Sequence, residues 1–400
     1  MSSSPFDLLS QINDLIIADS TPADMLQSIY DTGGSSGSAA VDLADGILGG
    51  SSSGSSKYYG TDIAGVLGFN PLLTAGCDGR LTLETGVPLS TTDQLAKTIV
   101  YFTPYKGNRI ALYSGTTWNN LTFTEKHIDI TEAQTGTTTN GNKIISGLTD
   151  TSQLIAGMAI TGTNVGAASV IATVDSLTQV TGTVNSTGSA TNTITFKLPI
   201  SLPYDIFAYN NAGTVKLELC AWTNTTTRAT ALVTQDGVLV KSGVTTRRYL
   251  GTIFTSAAGQ TADGVYTRFL YSFYNQTIHP VLGLGNHASY FTYTSVTITE
   301  YTNALRGQFC LGLPTLEVFA YGGSYVLCTG GNINAMLTLN GGFQLLIIVA
   351  SSAVLYTLNR PCLISAGYNF ISWYCNVSGG TGYVYCYSGT YATGILNLFM

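Results

Sequence analysis

From residue 289 the chain reads SYFTYTSVTITEYT (289–302), TLEVFAYG (315–322), SYVLCTG (324–330), AMLTLNG (335–341), FQLLIIV (343–349), AVLYTL (353–358), YNFISWYCNV (368–377) and GYVYCYSG (382–389). The runs are short, rich in β-branched and aromatic residues, and divided by Gly, Asn and Ser. Such side chains fit a pleated, half-buried surface, and the dividers are those of tight turns. None keeps apolar residues at helical spacing, so residues 286–400 are expected to form a β-sandwich or jelly-roll. No period recurs faithfully enough for a solenoid.

The same style appears upstream. RLTLETG (80–86), TIVYFTPY (98–105), IALYSG (110–115) and WNNLTFTE (118–125) read as strands, as do two alternating runs on either side of Asn210-Asn211-Ala212-Gly213. Residues 128–197 interrupt them with a dense Thr/Gly rhythm that holds no Tyr, Trp or Cys and a single Phe. That shift marks a small β-domain inserted into a sandwich built from 57–127 plus 198–285. Over 400 residues there are 57 Thr, 45 Gly, 35 Ser and 24 Tyr, which rules out an all-helical protein.

The N-terminus departs from this style. Ser4-Pro5 is an N-cap followed by Pro at the first helical position, and Phe6, Leu9, Ile12, Leu15 and Ile16 form one helical stripe. Thr21-Pro22-Ala23-Asp24 begins a second helix with Met25, Leu26 and Ile29 on its apolar side. Two short amphipathic helices in 1–31 cannot bury their stripes alone. The Gly/Ser-rich residues 32–56 behind them have the composition of a flexible tether, so 1–31 reads as a docking segment. The expected fold is mainly β: short N-terminal helices, a Gly/Ser tether, then sandwich or jelly-roll domains with an inserted module.

Charge is scarce and unevenly placed. Only 10% of residues are charged, against roughly 25% in ordinary soluble domains. Seven Asp and one Lys in residues 1–60 account for the whole net charge of −6, and the last hundred residues hold only Arg306, Glu317 and Arg360. A free monomer with so few charges lacks the repulsion that keeps proteins apart, which points to burial against other copies. The acidic start has no basic n-region and does not read as a secretory signal. The apolar run Phe343–Tyr356 spans 14 residues, short of the roughly 20 needed to cross a bilayer; it reads as two buried strands, and no membrane span is expected.

YFTPYKGNRIALYSGTTW (101–118) and LPYDIFAYNNAGTVKLELCAWTNTTTRATALVTQDGVLVKSGVTTRRYLGTI (202–253) resemble a family of tailed-bacteriophage structural proteins, met as tail-fibre, tail-tip or virion-surface proteins. LPYDIFAYNNAG and TTRRYLGTI are the most specific parts. The resemblance covers roughly 80–127 and 198–282 and extends weakly through GYNFISWYCNVSGGTGYVYCYSG. Family members join the two blocks by a short link, so 128–197 is an addition, and residues 1–60 lie outside the resemblance. It implies a non-enzymatic virion component, a homotrimer assembled in a host bacterial cytoplasm, docked to other virion proteins through 1–31 and projecting β-domains from tail or capsid. Alternative readings are a host-glycan receptor-binding module, a capsid decoration protein and, last, a glycan-degrading enzyme.

Catalytic chemistry finds little support in the residues. A glycosidase needs two carboxyl groups about 5 to 10 Å apart, yet beyond residue 236 only Asp263, Glu300 and Glu317 remain. Asp205, Glu218 and Asp236 are expected either to pair with Arg228, Arg247 or Arg248 or to cap turns. His127, His279 and His287 stand without a nucleophile elbow, and the seven cysteines form no CxxC, so no catalytic residue, cofactor or metal site is expected. Arg247-Arg248 is too small a basic cluster for nucleic acid. Aromatic binding is the open option. Trp373, Tyr374, Tyr383, Tyr385 and Tyr387 crowd one expected hairpin, where they either stack on host sugar rings or fill a core or trimer axis. By period two Trp373 shares a face with Cys375 and Tyr374 lies opposite. A turn near Gly380 would set Cys375 against Cys386 at disulfide distance.

Overall fold

A computed structural model describes residues 57–61, 67–71, 76–283, 290–300, 306–323, 325–350, 354–355, 358–385 and 393–400. Both expected N-terminal helices, with Phe6, Leu9, Ile12, Leu15, Ile16, Met25, Leu26 and Ile29, and the tether lie outside the described residues. The chain divides into two compact units, 1–76 and 77–400. In the first, Lys57–Thr61 and Leu67–Pro71 form an antiparallel hairpin with Tyr59 facing Phe69. The large β-unit therefore starts at Cys77 and not at 57.

Every regular element among the described residues is a strand. Thr, Leu and Ile are the commonest residues in these elements, and residues at positive φ, most of them Gly, turn the chain between strands. The Asn210–Gly213 turn shows how. Pro203–Asn211 and Thr214–Ala221 pair with Asn211 facing Thr214. Ala212 and Gly213 both take positive φ, 48° and 86°, the twist that a two-residue hairpin needs. The Asn210 side-chain oxygen accepts from Gly213 N at 2.7 Å.

Residues 131–197 make a six-stranded sheet of their own, ordered Ala159–Gly162, Ala190–Lys197, Thr131–Thr138, Ile144–Ser146, Gln179–Gly182, Ile171–Ser176. Gly136 faces inward, where a Cβ would come within 2.9–3.1 Å of Leu148, Ile194 and Ile145; only glycine lets those three close the module. Ile160, Ile194 and Phe196 continue into one core with Leu81, Phe102, Ile128 and Leu250 of the surrounding sheets.

The middle sheet runs Thr214–Ala221, Pro203–Asn211, Val244–Phe254, Val238–Lys241, Leu232–Gln235, with Leu270–Ser272 also on Val244–Phe254. A long sheet runs Phe343–Ala350, Ile333–Leu339, Gly367–Val377, Gly307–Leu311, Thr267–Arg268, Thr261–Gly264, Gln94–Lys97. Thr299–Glu300 also pairs with Gly367–Val377. Phe207 and Tyr249 of the middle sheet share a core with Phe309, Leu337 and Trp373 of the long one, a sandwich packing.

This corrects the boundary expected at 285/286. The long sheet takes strands from both sides of it, including the parallel pair of Thr267–Arg268 with Gly307–Leu311, and Ile278–Gly283 pairs with Thr393–Phe399. Strands from both sides of residue 285 thus share one sheet, and no domain break falls there. Phe343–Ala350 and Val354–Leu355 are strands, as expected of the apolar run. No helix among the described residues is long and apolar enough to cross a membrane.

Candidate interaction surface

Alternation along Gly367–Val377 decides the fate of its aromatics. Ile371, Trp373, Cys375 and Val377 point into the shared core, and Trp373 is only 3% exposed. Tyr374 lies on the other face, half-buried, in register with Met336 and Glu300. Trp373 is thus no surface contact: its ring fills the core, where aromatics contribute their large apolar area.

The expected hairpin does not form either. After Gly379 and Gly380, the latter at φ 70°, Thr381–Tyr385 leaves the long sheet and enters another, ordered Tyr290–Tyr293, Thr381–Tyr385, Tyr325–Thr329, Val354–Leu355. Cys375 pairs in register with Ala335 and Thr299. Cys386 and Tyr387 lie outside the described residues. Glycines at 379 and 380 make this exit possible, because the turn passes against Gly330 and Gly331 with almost no room for side chains.

Register in this four-stranded sheet places four tyrosine positions on one face. Tyr385 is opposite both Tyr290 and Tyr325, and Tyr383, two residues earlier, is opposite Thr292 and Leu327. Facing residues in antiparallel strands share a side, as do residues two apart. The other side carries Gly382, Cys328 and Tyr293, with Cys328 4% exposed and Tyr293 packed on the core. Thr292 and Thr329, on the tyrosine side, are exposed, and Tyr383 is half-buried. None of the four strands contains a charged residue. This uncharged face, exposed at Thr292 and Thr329, holds the positions of Tyr383 and Tyr385 of the expected set together with those of Tyr290 and Tyr325. Sequence reading passed over these two, although each opens an alternating run (SYFTY, SYVLC).

Four carboxylates, Asp205, Glu218, Asp263 and Glu300, are matched by Arg or Lys within the fold. Asp205, 2% exposed, accepts from Arg228 Nε at 2.7 Å and Nη2 at 3.2 Å and from Thr252 Oγ1 at 2.6 Å. Arg228 also donates to Gly312 O and lies 4.3 Å above the Trp222 ring. Glu218 binds Lys241 Nζ at 2.6 Å and Arg247 Nε at 2.5 Å. Burial alone would raise its carboxyl, but these two cations hold it below the ordinary range. Arg268 pairs with Asp263 at 2.9 Å and Arg306 with Glu300 at 2.6 Å. Arg248 is buried, donating to Tyr274 Oη and Ala111 O. Asp236 accepts from Trp118 Nε1 at 2.9 Å.

His127 is mostly exposed, 3.9 Å from Asp129. His279 sits half-buried beside Arg80 at 3.1 Å, and His287 lies outside the described residues. Among the described residues no three His, Cys, Asp or Glu converge as metal ligands. Of the carboxylates weighed for catalysis, Asp205, Glu218, Asp263 and Glu300 are held by cations, while Asp236 is exposed.

No protein-family model matches the sequence, and no curated protein is similar to it. Among solved structures, an insecticidal delta-endotoxin of Bacillus thuringiensis aligns over 80% of this chain and 52% of its own, at 9% identity and a TM-score of 0.21. A Cry1Da tryptic core variant from that organism aligns over 68% of this chain and 51% of its own at 8% identity and a TM-score of 0.19. A structure of infectious bursal disease virus, Gt strain, aligns over 86% and 70% at 7% identity and 0.20. The chain thus spans about half the length of the two toxin chains it matches.

Proposed function

We propose that this protein is a non-enzymatic structural component of a tailed-phage virion surface, docked through residues 1–31 and presenting its β-unit outward as a homotrimer. The observation that carries this reading is the placement of charge. Asp205, Glu218, Asp263 and Glu300 are all neutralised by cations within the fold, and the tyrosine sheet has no charge at all. A surface so neutral favours association, and obligate interfaces are more apolar than ordinary surface. The sequence resemblance at 101–118 and 202–253 supplies the virion context. Light scattering on the purified chain tests the assembly: a mass three times the 42.1 kDa of the chain is expected, and a monomer at micromolar concentration would overturn it. Deleting residues 1–56 should abolish incorporation into particles; a truncated protein that still incorporates would remove the anchor.

The tyrosine face favours a second reading, recognition of host glycan, because Tyr290, Tyr385 and Tyr325 form a row across three adjacent strands. Strands lie about 4.8 Å apart, and aromatic rings offer apolar area at small entropic cost. Tyr383→Ala with Tyr385→Ala should weaken binding to uncharged host polysaccharide at least about 10-fold while the oligomer stays intact. Trp373→Ala should instead destabilise the protein. Equal binding by the tyrosine variant and the parent would leave the face without this role.

A further inference from the structure

Arg80 is 5% exposed although it carries a permanent charge. It stands on Gly79–Thr82, yet its guanidinium reaches acceptors from far along the chain. These are Asn275 O, Met400 O at 2.8 Å and His279 Nε2 at 3.1 Å. An arginine nitrogen can only donate, so Nε2 must accept and the ring proton lies on Nδ1. Thr277 Oγ1, 2.7 Å from the same Nε2, donates there too.

The cluster fixes one end of the sheet in which Ile278–Gly283 pairs with Thr393–Phe399. His279 is in register with Leu398, and Thr277 and Met400 exchange both backbone hydrogen bonds at 2.9 Å. The charged groups facing the imidazole are Arg80 from Gly79–Thr82, Arg268 from Thr267–Arg268, whose Nε donates to Pro280 O, and Asp263 from Thr261–Gly264, already bound to Arg268.

We propose that this cluster is an acid-release latch: neutral His279 completes the acceptor set of buried Arg80 and holds the 393–400 segment on 277–283, and protonation of the ring sets two cations against each other and frees that segment. Burial first, then the neighbouring Arg268 and Arg80, push the imidazole down from 6.5 to about 4, against the pull of Asp263. Between those values the released state takes up a proton that the latched state refuses. Acidification therefore favours release, and the latch is complete only above about pH 6.5.

Hydrogen exchange on the full chain tests it, reading protection factors, corrected for intrinsic rates, at amides 394–399 from pH 7 to 4. Protection in the parent chain should fall roughly 10- to 100-fold below pH 6.5. His279→Gln, which keeps an acceptor without a titrating ring, should change less than about 2-fold, and amides 131–138 should stay level in both. Parallel loss in parent and variant, or no loss in the parent, would overturn the latch. Should the variant fail to fold at pH 7, the His279 ring titration in the parent decides instead. A midpoint near 4, with protection lost between about pH 6.5 and that midpoint, supports the latch, and a midpoint near 6.5 overturns it.

Discussion

The inserted module and the middle sheet are both antiparallel, both poor in charge, and packed in one continuous core, yet they are held together by different chemistry. The module's interior is aliphatic, Ile145, Leu148, Ile160, Val180 and Ile194 around the single Phe196, and none of its charged residues is buried. Its polar links come mostly from neutral side chains: Thr137 to Thr191 at 2.9 Å, Thr138 Oγ1 to Gly188 O at 3.1 Å, Thr173 and Thr181 to Asp175, and the buried Gln134 amide, which accepts from Thr149 N at 2.8 Å and Asp150 N at 3.0 Å. In the middle sheet charges and rings form one packing system. Arg247 lies 3.9 Å above Tyr209, Arg228 4.3 Å above Trp222 and Arg248 4.5 Å above Tyr274. A guanidinium is planar and weakly hydrated, so it stacks like an aromatic while binding a carboxylate at its edge. The lesson is that low charge content does not make charge unimportant. Where the few ions are buried, they are structural, and the two regions should fail under different substitutions.

The sharpest way to break the contrast is to remove Asp205. Asp205→Ala leaves Arg228 without its counter-ion and strips Thr252 of its acceptor, so urea unfolding should show a loss of about 3–5 kcal/mol. Replacing both partners, Asp205→Leu with Arg228→Met, should cost less than the single change, because no uncompensated charge then stays buried. A double variant as damaged as the single one would mean that packing around Trp222, not the ion pair, holds this site.

In the module the equivalent damage comes from volume. Ile194→Ala, at a fully buried position beside Gly136, should cost about 2–4 kcal/mol, with Ile194→Val near 1 kcal/mol. A cost under about 1 kcal/mol for the alanine would show a loosely packed interior and end the contrast from the module's side.

How far the sequence carries follows from which forces are local. The Asn210–Gly213 turn was legible because both of its requirements, positive φ and a capping amide, sit within four residues. Period two alone put Trp373 and Cys375 on one face, but not which side that face takes; burial against the middle sheet, far away in sequence, decides it. Partners were not legible. Nothing near Tyr383 or Tyr385 announces that Tyr290 and Tyr325, more than fifty residues upstream, lie on the same face, since register is fixed by the sheet as a whole. The Cys375–Cys386 hairpin was inferred from adjacency, and the glycines at 379 and 380 that suggested a tight return instead allow a crossing between sheets.

A smaller effect separates the regions by pH. Glu218 is held down by Lys241 and Arg247 despite partial burial, so the stability it contributes is present above its unfolded value of 4.5 and is lost as pH falls through the lowered folded one. Glu218→Gln should flatten this part of the acid limb and cost no more than about 1 kcal/mol at pH 7, because the pair remains partly solvated.

The smallest expected effect lies in the module, at Asp175. Its carboxyl is also held below the ordinary range, but by hydroxyl donation from Thr173 and Thr181 at an exposed site. The sign is the same as for Glu218, stability lost as pH drops through the lowered value. Water, however, replaces a hydroxyl donor at little cost where the group is already solvated. Asp175→Asn should therefore leave the urea midpoint unchanged within error at pH 7, and its acid limb should superimpose on that of the parent chain. A measurable shift would mean that the Thr173–Asp175–Thr181 bridge fastens the edge strand Ile171–Ser176 to Gln179–Gly182, and that the module too relies on a charged anchor, which would erase the distinction between the two regions.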